Sequence, residues 1–141
     1  MTEFNKIFID TAPFIYFLDN DVVYGNKVKN LFENLLNNNK QMVTSVVTCE
    51  EYLVYPYRMG NKEKEDVFFE FINDCCIEPI NINVDIAKIA AQIRANYTGF
   101  KGMDSLQLAV ALYSNCDVFL TNDRQLRQFS ELRCVTIDEW E

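Results

Sequence analysis

The chain has 141 residues, and 49% of them are hydrophobic, so it predicts one globular domain with a sizeable core and excludes a disordered chain. The formal net charge of −8 argues against a protein that coats nucleic acid non-specifically, because phosphate contacts come from lysine and arginine. Histidine is absent and the five cysteines include no CxxC pair, which excludes a Ser-His-Asp triad and argues against a Cys/His zinc site.

The first half of the chain alternates short apolar runs with amphipathic stretches. Residues 7–10 predict a buried strand, and Pro13 favours a helix that begins there, because its missing N–H costs nothing at a first helical position. A second helix is predicted over 24–39 and a second strand over 41–45. Thr48, with Glu51 three residues later, is typical of a capping box that opens a third helix, and Pro56 is expected to interrupt that helix.

The second half continues the same alternation. Helices are predicted over 62–75, after Asn83 as an N-cap, over 103–114 and over 124–129. Strands are predicted within 76–82, where Pro79 favours the edge of a sheet, and at 117–121 and 134–138. Regular alternation of strands and helices predicts a single α/β domain, with a parallel sheet of about five strands covered by helices on both faces.

Four carboxylates follow strands or open helices in this scheme. Asp10 ends the first strand, Glu51 follows the second, Asp104 opens the apolar helix, and Asp123 follows the fourth strand together with Asn122. Because ligands bind at the carboxyl ends of strands in open α/β sheets, we expect the four carboxylates to lie together. Clustered carboxylates repel one another unless divalent cations lie between them, and an oxygen-only ligand set favours Mg²⁺ or Mn²⁺.

Each carboxylate also has a purely structural interpretation. Asp10 and Asp123 can cap the helices that follow them, Glu51 can be the capping-box partner of Thr48, and Asp104 can complement a helix dipole. These interpretations explain the four residues one at a time, but they do not explain why all four fall at one edge of the predicted sheet.

Four stretches of the chain resemble the four ordered motifs of PIN-domain ribonucleases, the family that includes VapC-type toxins: FIDTAPFIYFLD, VTSVVTCEEYL, KGMDSLQLAVAL and VFLTNDRQL. The resemblance spans residues 7–137. It implies a PIN-like fold and a Mg²⁺- or Mn²⁺-dependent endoribonuclease in which Asp10, Glu51, Asp104 and Asp123 hold the metal and serve catalysis. Glu50 is a near competitor of Glu51 for the second position.

Further polar residues beside these motifs are candidates for contact with RNA. Thr11 and Thr121 match hydroxyl positions that line such sites in the family, and Asn122 stands where the family varies. Cations near the rim could hold flanking phosphates, although an ordinary solvated charge is the commoner explanation for any one of them, and they are Arg58, Lys101 and Arg124.

The aromatic content points to a partner. Eleven phenylalanines and seven tyrosines in a small domain tend to leave an apolar patch that another chain covers. Together with the resemblance, this predicts a homodimer or a complex with an antitoxin protein. Whether the chain is the toxin of a type II toxin–antitoxin pair or a stand-alone nuclease stays open.

Two other functions agree with single features of the sequence. A haloacid-dehalogenase-type phosphatase also places an aspartate after the first strand, but it requires a second one two residues later, where this chain has Ala12. A degraded PIN module that only binds RNA or a partner protein would be expected to have lost a carboxylate, and all four are present.

No feature of the sequence predicts a cellular location other than the cytoplasm. It has no apolar run of the ~18 residues that a membrane helix needs, so no membrane association is expected. The amino-terminal residues MTEFN lack the basic and apolar regions of a signal peptide. A cytoplasmic protein with reduced thiols is the resulting expectation.

Overall fold

The computed structural model describes residues 3–140 and contains one sheet of five parallel strands. The strands are β1 (Lys6–Ile9), β2 (Gln41–Ser45), β3 (Glu78–Ile80), β4 (Val118–Thr121) and β5 (Arg133–Thr136). The helices are α1 (Thr11–Leu18), α2 (Gly25–Asn37), α3 (Val46–Arg58), α4 (Lys62–Asp74), α5 (Val84–Asn96) and α6 (Gly102–Tyr113). Two 3₁₀ turns cover Arg124–Gln128 and Ile137–Glu139. The predicted α/β class and the parallel sheet are confirmed.

The strands lie in the order β3-β2-β1-β4-β5, so β1 is the central strand. Side chains of a strand alternate between the two faces of its sheet, and the core divides accordingly. Ile7 and Ile9 join a cluster that contains Phe14 of α1 and Leu35 of α2, whereas Phe8 joins a second cluster with residues of α5 and α6. Helices therefore cover both faces, and the carboxyl end of β1 lies between the two layers.

The edge position of β3 agrees with the prediction from Pro79. This strand pairs only with β2, and Pro79 is the middle one of its three residues. An edge strand accommodates a proline because one row of its backbone N–H groups has no strand partner. Asn83 caps α5 as predicted, since its side-chain oxygen accepts a 2.9 Å hydrogen bond from the N–H of Ile86.

Two predictions about helix boundaries were wrong. Helix α1 begins at Thr11, two residues before Pro13, because Asp10 is its N-cap. Helix α3 begins at Val46, and its N-cap is Ser45, whose hydroxyl accepts a hydrogen bond from the N–H of Val47. Thr48 is therefore inside the helix, and there is no capping box between it and Glu51.

Pro56 does not end α3 as expected. The helix continues to Arg58, so the proline costs one backbone hydrogen bond close to the helix terminus, where only two further residues follow. The side chain of Pro56 is buried, and this packing keeps the last turn of the helix in place. Within residues 3–140, no helix combines the length and the apolar character that a bilayer crossing requires.

Candidate active site

Asp10 lies at the carboxyl end of the central strand β1. Its N–H donates a 2.9 Å hydrogen bond to the carbonyl of Leu120, which extends the pairing of β1 with β4 by one residue. Its Oδ1 accepts hydrogen bonds from the N–H of Thr11 at 2.8 Å and from the amide of Gln107 at 3.2 Å, and its Oδ2 accepts one from the hydroxyl of Thr121 at 2.8 Å. The carboxylate is therefore oriented by three donors from three elements.

The surroundings of Asp10 change its acidity. Burial raises the pKa of this carboxyl from the ordinary value of 3.8 to about 6, although the three hydrogen bonds favour the ionised form and oppose the shift. The negative charge of Glu51 adds to the increase. Asp10 is thus a carboxylate whose charge is costly, because burial removes the water that would solvate it.

A buried network of hydrogen bonds holds the Gln107 amide in contact with Asp10. The amide nitrogen of Gln107 donates both to Asp10 and, at 2.8 Å, to the hydroxyl of Thr48, while its amide oxygen accepts a hydrogen bond from Ser45. Thr44 lies 2.9 Å from the hydroxyl of Thr48 and 2.7 Å from the carbonyl of Ile9. Both ends of the Gln107 amide are in use, which fixes the orientation of the group.

Glu51 lies in the second turn of α3, and Thr11 connects it to Asp10 by hydrogen bonds. The hydroxyl of Thr11 donates a 2.6 Å hydrogen bond to Oε1 of Glu51 and lies 3.3 Å from the hydroxyl of Thr48. Glu51 is otherwise exposed, and its Oε2 has no hydrogen-bond partner among residues 3–140. Glu50 is also exposed, but neighbouring residues of a helix point about 100° apart, so it faces a different direction.

Asp104 and Asp123 lie beside Asp10 and Glu51, and each accepts a hydrogen bond from a backbone N–H close to it in the chain. Asp104 is in the first turn of α6, and its Oδ2 accepts a 3.4 Å hydrogen bond from the N–H of Lys101. Asp123 caps the 3₁₀ turn that begins at Arg124, because its Oδ1 accepts a 3.0 Å hydrogen bond from the N–H of Gln125. Burial and the charge of Asp123 raise the pKa of Asp104, while Lys101 opposes the shift.

The four carboxylates form two pairs. We call Asp10 and Glu51 the inner pair, since the charge of Glu51 contributes to the raised pKa of Asp10. We call Asp104 and Asp123 the outer pair, since the charge of Asp123 contributes to the raised pKa of Asp104. Thr121 connects the pairs, because its hydroxyl donates to Asp10 and accepts a 3.1 Å hydrogen bond from the N–H of Asp123. In the part of the chain that the structure describes, no three Asp, Glu, Cys or His side chains are close enough to surround one ion, and none of the four carboxylates forms an ion pair.

The other predicted site residues divide into two groups. Thr11 and Thr121 belong to the site through the hydrogen bonds described above, and Lys101 lies beside Asp104. Asn122 is turned away, since its amide donates a 2.8 Å hydrogen bond to the hydroxyl of Tyr16. Arg124 lies 3.7 Å from Asp138 and Arg58 is about two turns beyond Glu51 on α3, and among residues 3–140 neither forms an ion pair with the four carboxylates.

Sequence reasoning missed three residues of this region: Gln107, Thr48 as a buried hydroxyl, and Arg94. One signal for Gln107 was available, because it is the single strongly polar residue inside an otherwise apolar helix, where burial demands hydrogen-bond partners. Arg94 carried no signal, since an arginine near the end of a helix is ordinary.

Two concave surfaces adjoin the carboxylates. The α5–α6 cleft has a volume of about 620 Å³ and is lined by Glu51, Ala87, Ala90, Ala91, Arg94, Lys101, Gly102, Met103, Asp104 and Leu106. The α3–α4 groove, of about 450 Å³, is lined by Ile15, Asp19, Glu51, Tyr52, Tyr55, Pro56 and Lys64. Glu51 borders both, so the carboxylate site lies between an apolar groove and a cleft that carries two cations.

Comparison with known proteins identifies the family. The PIN domain family matches residues 7–132, which is most of the chain, and the chain therefore belongs to the PIN-domain family. The resemblance drawn from the four sequence motifs is confirmed at this level. No curated protein matches the chain significantly.

Solved structures share the fold at low sequence identity. A chain of the DNA-bound VapBC2 complex of Rickettsia felis is 15% identical, with 93% of this chain and 98% of that chain covered and a TM-score of 0.77. A chain of the DNA-bound VapBC of Salmonella typhimurium is 21% identical, with 94% and 98% covered and a TM-score of 0.75. VapC20 of Mycobacterium tuberculosis, a toxin that cleaves the sarcin–ricin loop, is 15% identical, with 90% and 98% covered and a TM-score of 0.68.

Proposed function

We propose that this protein is a Mg²⁺- or Mn²⁺-dependent endoribonuclease, and that Asp10, Glu51, Asp104 and Asp123 form its active site. One observation carries the proposal. Two carboxylate pairs lie at the carboxyl edge of the sheet without an ion-pair partner among residues 3–140, and burial raises the pKa of Asp10 to about 6. Membership of the PIN family and the fold shared with the RNA-cleaving VapC20 support it.

The residues present fit a hard divalent cation. All four donors are carboxylate oxygens, and Mg²⁺ commonly binds to about one or two carboxylates while waters and substrate phosphates complete its octahedral shell. Two pairs are therefore a sufficient donor set, with both pairs contributing to the binding of the ion. When bound, such an ion lowers the pKa of a coordinated water and stabilises charge that develops on the phosphate.

The protein contributes fixed orientation to this chemistry. Thr121, Gln107 and the N–H of Thr11 hold both oxygens of Asp10, so that its lone pairs point in set directions before substrate arrives. Thr11 holds only one oxygen of Glu51. The other oxygen is open to accept a hydrogen bond or a proton from the attacking water, a role for which this chain has no histidine.

Cleavage of RNA by the purified protein tests the proposal. Single-stranded and hairpin RNAs should be cut internally in Mg²⁺ or Mn²⁺ and stay intact in EDTA. A phosphomonoester such as p-nitrophenyl phosphate should not be hydrolysed. Hydrolysis of the phosphomonoester without RNA cleavage would indicate a phosphatase, and binding of RNA without cleavage in either metal would indicate a PIN module that only binds.

We also propose that the α3–α4 groove is where a partner protein docks, either an antitoxin or a second copy of the chain. Its apolar wall continues onto exposed side chains, among them Tyr55 and Tyr57, which are 56% and 60% exposed. Chains of VapBC toxin–antitoxin complexes share the fold, which supports an antitoxin. Light scattering of the purified protein should give a dimer mass, or co-expression with the neighbouring gene should give a stable complex. A monomer at micromolar concentration that captures no product of that gene would contradict this proposal.

A further inference from the structure

The α5–α6 cleft opens directly beside the carboxylates. Glu51 and Asp104 form one side of it, so anything bound there lies next to the reacting phosphate of the proposed nuclease. Its volume of about 620 Å³ falls inside the ~300–1,000 Å³ range of small-molecule sites. The cleft is therefore large enough to hold a small ligand. Its position beside the carboxylates makes a part of the substrate the expected ligand.

Two cations, Arg94 and Lys101, line the cleft, and Lys101 lies beside Asp104. Neither the guanidinium of Arg94 nor the ammonium of Lys101 forms a hydrogen bond or an ion pair with another residue among 3–140. The guanidinium lies against the first turn of α6, since a Cβ built on Gly102 would lie 3.8 Å from its Nη1. In a chain of net charge −8, two cations at the border of an acidic site are complementary to an anion that must approach that site.

The floor of the cleft is apolar and low. Ala87 lies about one turn before Ala90 and Ala91 on α5, and Arg94 lies about one turn after them along the same face. Met103 and Leu106 of α6 complete the apolar lining. Methyl groups leave space for a flat ring to lie on the helix, and the guanidinium at the end of that surface is placed for a charged group joined to the ring.

We propose that the α5–α6 cleft is a nucleotide subsite, in which a base of single-stranded RNA lies on the alanines and its phosphate binds Arg94 and Lys101. This inference rests on the proposed ribonuclease function and adds to it the place where a nucleotide flanking the cleaved bond is held. An apolar floor that ends in two cations matches the two halves of a nucleotide, an uncharged ring and an anion.

Binding of RNA in the absence of cleavage tests the subsite. All variants are made in the Asp10→Asn background, and the affinity for fluorescent decauridylate and deca-adenylate is measured by anisotropy in Mg²⁺ from 50 to 200 mM salt. Arg94→Gln should weaken binding about tenfold. It should also reduce the magnitude of the negative slope of log affinity against log salt by about 0.7, because one phosphate contact is lost. The matched control is Lys88→Gln, on the same helix but outside the cleft.

A second variant tests the floor without changing charge. Ala91→Leu should weaken binding at least about fivefold and leave the salt slope unchanged, because the larger side chain fills the space that the base would occupy. Ala95→Leu, an equal change on the same helix outside the cleft, should bind as the parent does. Circular dichroism and melting temperatures show whether each variant is folded.

The outcomes separate the subsite from the parent proposal. If the wild type cleaves RNA but Arg94→Gln and Ala91→Leu bind like their controls, the subsite is overturned while the ribonuclease stands. If the two variants keep RNA affinity but lose a co-encoded protein partner, the cleft belongs to that partner and the inference is again wrong. If the wild type neither cleaves nor binds RNA, both proposals fall together.

Discussion

The inner and outer carboxylate pairs are held in different ways. Asp10 and Glu51 are bound by side chains from α1, α6 and β4, through Thr11, Gln107 and Thr121. Among residues 3–140, Asp104 and Asp123 accept hydrogen bonds only from backbone N–H groups within three residues of themselves. The inner pair is thus oriented by the tertiary structure, while the outer pair is positioned by the start of its own helix or turn.

This difference suggests a division of labour. Side-chain networks that cross several elements fix geometry before a ligand arrives, and they do so at the cost of burying charge. Local caps cost less and leave the carboxylates free to adjust. The inner pair should therefore control the metal and the chemistry, and the outer pair should respond to metal and substrate together.

The largest effect is expected from Asp10→Asn. It should lower RNA cleavage at least about 100-fold, because an amide cannot supply the charge that a divalent cation requires. The fold should survive, since asparagine caps a helix as well as aspartate does. Asp117→Asn is the matched control: Asp117 accepts hydrogen bonds from Asn5 and Lys6 at the opposite end of the sheet, and its variant should cleave RNA like the wild type. Equal activities of the two variants would remove Asp10 from the site.

A second comparison concerns the neighbours Glu50 and Glu51. Glu51→Gln should lower the rate of RNA cleavage by about 10- to 100-fold, as the loss of one metal-site group commonly does. Glu50→Gln should change the rate less than about threefold, since adjacent helix residues point about 100° apart and only Glu51 bonds to Thr11. A larger loss in Glu50→Gln would mean that the second motif is shifted by one residue.

Gln107 tests the network that distinguishes the inner pair. Gln107→Met keeps the volume of the side chain but leaves Asp10, Thr48 and Ser45 each short of a partner, so the free energy of unfolding should fall by about 1–3 kcal/mol. Cleavage should fall as well, because Asp10 loses one of its three donors. Gln92→Met, an exposed change on α5, should leave both quantities unchanged. A Gln107→Met protein as stable and active as the control would show that the network does not position Asp10. Urea denaturation and single-turnover cleavage provide the two measurements.

The raised pKa of Asp10 predicts a pH effect on stability in EDTA. The folded pKa of about 6 exceeds the ordinary value of 3.8, so the folded protein binds this proton more tightly than the unfolded chain. The stabilising contribution of Asp10 is complete below pH 3.8 and is lost as the pH rises through 6. Relative to Asp10→Asn, the wild type should therefore lose about 1–3 kcal/mol of unfolding free energy between pH 4 and 7. A difference that does not change with pH would contradict the account.

The sequence predicted the parallel sheet, because strands with continuous apolar runs have local signals. That the four carboxylates form one active site stays a prediction. The sequence misplaced the start of α3, since both Ser45 and Thr48 are good N-cap residues and only tertiary packing turns Thr48 inward. It could not show that the carboxylates form two pairs rather than one cluster. That arrangement depends on Thr121 and Gln107, whose partners are up to 111 residues away in the chain.

Binding of Mn²⁺ by calorimetry tests most directly whether the two pairs form one metal centre. We expect that the wild type binds Mn²⁺, that Asp10→Asn and Asp104→Asn each weaken binding at least about tenfold, and that Asp117→Asn binds like the wild type. If Asp10→Asn binds Mn²⁺ as tightly as the wild type, the inner pair is not a metal site. If only Asp10→Asn is affected and Asp104→Asn is not, the outer pair belongs to something other than the metal, and the central claim fails.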